Sequence, residues 1–307
     1  MRFGLCCISL DLQELDTPFK FQTMTYKRFS SLDRTEALSI LGSRILNNME
    51  VTNATILHCA EHDYCYRISS NLFPLITYRA ANITLRDLPQ YSSILREIDN
   101  IAYTIQQNNV RISCHPSEFN VLASSNTDAV DRTVTELNFY SNFLDMIGCS
   151  ADYNSPMNLH INNRQGSNDE ITQRFIHNYN RLDSNCRNRI VIENDDKPNC
   201  WSVKQLVQDF HPKTNIPITF DYLHQACHPD GWTEQQALEE CYMTWGEHRP
   251  LFHYSESCRD PDNTNPRKHA DYAENTFSTY GLDFDLDMEL KMKDKAISKY
   301  YEGMLVA

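Results

Sequence analysis

At 307 residues and 41% hydrophobic content, the chain is long enough to bury a large core, as one big domain or two ordinary ones. Its net charge of −13 excludes a protein coated in basic surface for nucleic acid, although bound divalent cations would invert the potential locally. No apolar run is long enough for a membrane, no leader pattern opens the chain, and the eleven cysteines include no C-x-x-C pair. These features lead us to expect a soluble intracellular protein, cytoplasmic or nuclear, with buried free thiols and no membrane partner.

The first strand is expected at 2–9, a short apolar run. Residues 32–62 read as helical from a cap at Ser31, interrupted near 49–53. A strand at 64–69 and a helix at 89–109 lead to a third strand, 110–114, which ends at His115-Pro116. Thr127 or Asp128 caps a helix that Gly148 stops. The strand at 157–161 contains His160, a helix follows at 169–182, and the strand 189–192 exits at Glu193. Ser202 caps 203–210, and the strand 218–220 exits at Asp221. A helix at 232–245 precedes strands at 251–254 and 284–290, and a helix at 291–301 closes the pattern.

Eight short strands, most of them separated by a helix, require parallel pairing with right-handed crossovers. The expected fold is therefore an α/β (βα)8 barrel, a TIM barrel, built as one domain. The polar residues sharpen this reading. His115, His160, Glu193, Asp221, His253 and Glu289 lie at or near strand exits, and His224 and His269 lie in the loops beyond. That rim is where barrels build active sites. Asp221 and His224 form a D-x-x-H pair, a weak signal alone and a stronger one when five other strand exits carry a histidine or carboxylate. Mixed nitrogen and oxygen donors suit zinc, manganese or iron better than magnesium or calcium.

At His115-Pro116, Ile192-Glu193-Asn194-Asp195 and Asp221-Tyr222-Leu223-His224 the chain resembles the UV damage endonuclease family. The likeness extends over Arg67-Ile68-Ser69-Ser70, Pro74, His160, Trp201-Ser202-Val203, Pro250, His253, Lys268-His269-Ala270, Glu289 and Lys291. The resemblance implies a metal-dependent barrel, related to apurinic endonucleases, that nicks double-stranded DNA beside lesions as a monomer. It implies two or three divalent ions, manganese or zinc with iron as the alternative. Glu193 would bridge metals, and with His160 it would be a catalytic residue. Asp221, His253 and Glu289 would complete one metal, His224 and His269 would hold a second, and His115 with His160 would serve a third.

Several positions depart from the family. Tyr78 stands where a histidine is usual, so the third metal lacks a ligand, and Leu251 replaces an expected modified lysine. The lesion-probing Gln-Tyr pair is Glu118-Phe119, Leu5 replaces a tyrosine, and residues 162–166 replace a Gly-rich segment. Substrate contacts are expected from Glu118, Phe119, Arg67, Ser69 and Tyr78, with Arg164, Arg259, Arg267 and Lys268 as further phosphate contacts. Two other readings stay open. One is a barrel metalloenzyme of different chemistry, a sugar-type isomerase or epimerase, or an iron-dependent oxidative enzyme on a nucleotide or peptide. The other is a binding module with a vestigial site, which the cost of burying unpaired charges without a metal weighs against.

Overall fold

The structure, a computed structural model, describes residues 1–260, 262 and 264–306, with side chains through 303. Its strands are β1 (Phe3–Cys6), β2 (Cys65–Ile68), β3 (Ile112–Cys114), β4 (Met157–Leu159), β5 (Ile190–Glu193), β6 (Ile218–Thr219), β7 (Leu251–Tyr254) and β8 (Asp285–Met288). All pairings are parallel, in the order β6-β5-β4-β3-β2-β1-β8-β7. A parallel bridge between Asp221 and His253 joins the two ends, with His253 N–H donating to Phe220 O at 2.9 Å. The expected barrel is therefore what forms, and every strand residue is buried. Closure uses up the strand edges that an open sheet would leave unpaired.

The barrel interior follows from two-residue periodicity. Along 284–290 the sequence alternates Phe, Asp, Leu, Asp, Met, Glu, Leu. The apolar set packs outward against helices and the acidic set points inward at three depths. Asp285 meets Arg111 at 3.1 Å at the strand entry, Asp287 sits mid-barrel 3.9 Å from Arg67, and Glu289 reaches the rim.

One helical expectation fails. Helix Arg34–Glu61 runs unbroken for 28 residues from a cap at Asp33, not Ser31. The buried polar residues near its middle, Asn48 and Thr52, are hydrogen-bonded, so they do not break the helix. Asn48 accepts from Gln22 N–H at 2.7 Å and donates to Leu72 O at 3.0 Å, while Thr52 donates to Asn48 O at 2.7 Å. Other helices, such as Tyr91–Asn108, Thr127–Met146 and Asn168–Tyr179, fall near where the pattern put them; the expected cap at Thr127 or Asp128 lies at Asn126, and Ser167 caps the last of the three. Between β7 and β8 the described residues hold no helix. This long loop carries His269, pinned by an antiparallel bridge to Ser257.

Candidate functional site

Glu193 is the last residue of β5, 1% exposed, and its carboxylate is ringed by imidazoles from three other strand exits and one helix. His115 Nε2 lies 3.3 Å from Oε2, His160 Nε2 3.5 Å and His253 Nδ1 3.1 Å, while His224 Nδ1 lies 3.2 Å from Oε1. Asn158 Nδ2 also donates to Oε2. Closure of the barrel brings these groups together, because β3, β4, β5 and β7 all point their carboxyl ends at one mouth.

Asp221 is both a strand exit and a helix cap. It caps Tyr222–Cys227 by accepting His224 N–H on Oδ1 at 2.7 Å, which places the imidazole one turn on, beside Glu193. Its Oδ2 is buried without a hydrogen-bond partner, as is Nδ1 of His253. His253 Nδ1 also lies 3.2 Å from Glu289 Oε1, and Arg67 Nη1 donates to that same oxygen. Three sets of donor atoms result, each close enough for one cation: His115, His160 and Glu193; Glu193, Asp221 and His224; Asp221, His253 and Glu289.

Electrostatics in the mouth are set by burial and by these pairs. Burial pushes the Glu193 carboxyl up, but the facing His253 and His160 imidazoliums outweigh it and hold it well below the usual carboxylate range. Burial disfavours charge on His253, yet Glu193 and Glu289 raise its pKa to about 9. His224 rises well above its ordinary value against burial, under Asp221 and Glu193. Asp221 is raised by burial, only partly offset by His224. Imidazoles that must be protonated to offset buried carboxylates, and orphaned buried donor atoms beside them, fit a divalent cation in place of protons.

Seven of the eight sequence-expected ligands thus share one mouth. His269 lies at its edge, outside the three donor sets, with Nδ1 donating to Glu289 O at 2.7 Å. The expected substrate contacts fare differently. Arg67 is 8% exposed and spends its charge on Glu289 and Asp287, so it faces the barrel interior and is withdrawn from any phosphate. Ser69 is buried and accepts from Asn71 N–H at 3.2 Å. Tyr78 is exposed and packs on Tyr26 at 5.1 Å. Glu118 and Phe119 are exposed just past His115, Phe119 at 80%, and Asn162 donates to Glu118 O at 3.1 Å. Arg164 and Lys268 are exposed, whereas Arg259 pairs with Glu274 and Arg267 lies 3.3 Å from Asp196. Asn158 and Asp287 escaped the sequence reading, and Asp195 entered it only as part of a motif, without a role. A polar residue inside the run M-N-L, and the acidic alternation before Glu289, were the signals for two of them.

The sequence model of the UV-endonuclease UvdE family matches residues 1–305. The chain belongs to that family. A UV DNA damage endonuclease of Bacillus cereus (strain G9842) is 28% identical over 99% of this chain and 94% of its own length. One from Bacillus anthracis is 26% identical, covering 99% and 94%. Among solved structures, SacUVDE superposes with a TM-score of 0.80 at 27% identity over 99% of both chains. Endonuclease IV from Thermus thermophilus shares the barrel fold, with a TM-score of 0.59 at 10% identity over 100% of this chain and 98% of its own.

Proposed function

We propose that this chain is a metal-dependent endonuclease that hydrolyses a phosphodiester of double-stranded DNA beside a damaged or modified nucleotide. The observation that carries the reading is the buried Glu193 carboxylate within 3.5 Å of four imidazoles, at the mouth of a barrel whose family is that of UV endonucleases. In this reading Glu193 would be the carboxylate shared between cation sites. Asp221, His253 and Glu289 hold one, and His224 with Glu193 and Asp221 holds a second, with His269 at its edge. His115 and His160 share Glu193 toward a third. Manganese or zinc suits these mixed nitrogen and oxygen donors, with iron as the alternative. Cations held there would supply activation of water and charge stabilisation for phosphodiester hydrolysis.

The chain's own residues do the rest. Phe119 offers an exposed ring on which a displaced base stacks, worth about 1–3 kcal/mol. Arg164 and Lys268 hold the phosphates on either side of the mouth, since the overall charge of −13 leaves binding to local basic groups. Glu118, ionised, repels phosphates and cannot donate to a base, which directs recognition away from a strict photoproduct reader. Tyr78 leaves the third cation with His115, His160 and Glu193 only. We take the protein to act as a monomer; no helix among the described residues is long and apolar enough to cross a membrane.

The test is cleavage of photodimer, abasic and intact duplexes by the metal-loaded wild type and by Glu193→Gln. The proposal requires nicking of a damaged duplex by the wild type and its loss in the variant. A fully loaded wild type that cuts none of the three would favour a different chemistry for this barrel.

A further inference from the structure

We propose that the two residues after Glu193 are positioning residues for the mouth: Asn194 orients Asp221 and His224, and Asp195 orients His160. This rests on the reading of the mouth as a metal site. The tripeptide 193–195 leaves β5 with three buried side chains aimed at three different elements.

Asn194 is 1% exposed, and its amide locks onto one residue of the neighbouring strand. Oδ1 accepts Asp221 N–H at 2.8 Å, and Nδ2 donates to Asp221 O at 3.2 Å. An amide both accepts and donates at one end, so it can satisfy both backbone groups of a residue that has run past its strand partners. The position of the Asp221 carboxylate is thereby fixed from β5. Asn194 O accepts from His224 Nδ1 at 2.8 Å. A neutral imidazole carries one proton, so a proton held at Nδ1, between Asn194 O and Glu193 Oε1 at 3.2 Å, leaves the Nε2 lone pair for a ligand.

Asp195 repeats the device on the other side. Its backbone N–H donates to Trp201 O at 2.8 Å, and its Oδ2 accepts Trp201 N–H at 3.1 Å. That closes the loop 195–201 and turns Oδ1 to His160 Nδ1, 3.1 Å away. Nδ1 of His160 sits against the Asp195 carboxylate without a formed hydrogen bond, and Nε2 faces Glu193 Oε2 at 3.5 Å, so a proton drawn to Nδ1 by the carboxylate would leave Nε2 free to ligate. A carboxylate or carbonyl behind a ligating histidine fixes ring orientation and tautomer, and losing it typically costs about 10- to 100-fold in metal affinity. A purely structural role for Asp195 would leave the ligating nitrogen unchanged.

The experiment uses the full chain with zinc as the probe. In zinc-loaded wild type, 15N NMR should show His160 and His224 ligated through Nε2 with Nδ1 protonated. Asp195→Asn presents an N–H to His160 Nδ1, so it should move the proton to Nε2 and weaken zinc binding, read by chelator competition, about 10- to 100-fold. Asn194→Ala keeps the carbonyl behind His224 but removes both side-chain bonds to Asp221, so it should weaken zinc binding similarly through Asp221. Ligation through Nδ1 in the wild type, or zinc affinities of both variants within twofold of wild type, would overturn the inference. The wild-type spectrum decides alone if a variant does not fold. A wild type that takes up no zinc would remove the metal reading itself, whereas normal uptake with insensitive variants removes only the role of Asn194 and Asp195.

Discussion

Gly4 and Asp287 share one space inside the barrel: a β-carbon built on Gly4 would lie 1.9 Å from Asp287 Oδ1. The two face each other across the β1–β8 pairing, where Gly4 is in register with Asp287. The absent side chain is what lets a buried carboxylate sit beneath the mouth, between Arg67 and Ser113. Gly4→Ala should therefore destabilise the protein by about 1–3 kcal/mol, the usual cost of overpacking. In an Asp287→Ala background the same change should cost less, since the carboxylate clash is gone and only a 3.2 Å approach to the Cα of residue 287 remains. Denaturant unfolding of the four proteins of this cycle measures the coupling; additive effects would mean that the two residues do not compete for space.

Arg67 and the surface cations should behave oppositely in DNA binding. Arg67 is enclosed by Glu289 and Asp287, while Arg164 and Lys268 are exposed near the mouth. Charge reversal at Arg164 or Lys268 should flatten the salt dependence of duplex binding by about 0.9 log unit per lost phosphate contact. Arg67→Met should leave that slope intact while lowering stability by about 3–5 kcal/mol, because it strips a buried pair of its cation. Salt titrations of duplex binding alongside thermal melts separate the two behaviours.

The pH dependence of the metal-free protein follows from the imidazole cluster. His253 has its pKa raised to about 9, so its ion pair with Glu193 and Glu289 stabilises the fold fully below the unfolded value of about 6.5 and is lost as pH rises through 9. Glu193 is depressed, so its contribution is present above about 4.5 and is lost as pH falls. Metal-free protein should be most stabilised by these pairs between those limits and should melt progressively lower toward pH 9. Loaded with metal, it should instead gain affinity over the same range, because cations displace the protons on His253 and His224. Melts in chelator and in excess zinc across pH 5–9 check both signs. A metal-free melting temperature that climbs toward pH 9 would contradict the charge assignment.

Glu118→Gln should sharpen discrimination between damaged and intact duplexes, because the neutral amide donates to a base and no longer repels phosphates. Phe119→Ala should weaken binding to damaged duplex by about 1–3 kcal/mol if the ring stacks on a base. Competition binding with photodimer and intact duplexes measures both. Equal affinity of Phe119→Ala and wild type would take the ring out of recognition.

The strand exits were legible because a barrel turns sequence order into convergence: once eight strands are recognised, His115, Glu193, Asp221 and His253 must meet. What stayed hidden was the interior. Arg67 reads as a surface cation in sequence, and only the partner strand shows that Asp287 and Glu289 enclose it. The alternation of residues 284–290 contained that information, but reading the run as a strand with Glu289 near its end left Asp285 and Asp287 unassigned. Residues 32–62 look interruptible for the converse reason. Asn48 and Thr52 are polar; Thr52 bonds back to Asn48 O within the helix, but the burial of Asn48 becomes acceptable only through bonds to Gln22 and Leu72, which are distant in sequence. Asn194 and Asp195 were visible as letters of a motif, but their work depends on Asp221, His224 and His160 being neighbours, which only the closed barrel provides.

The central claim is that Glu193 is the shared ligand of a multinuclear centre, and elemental analysis tests it most directly. Wild type and Glu193→Gln are purified without added metal, passed through a desalting column and measured for manganese, zinc and iron per chain. The account predicts two or three equivalents of manganese or zinc in the wild type and loss of most of that metal in the variant, with the fold retained. A wild type carrying less than one equivalent, or a variant carrying as much metal as the wild type, would contradict it.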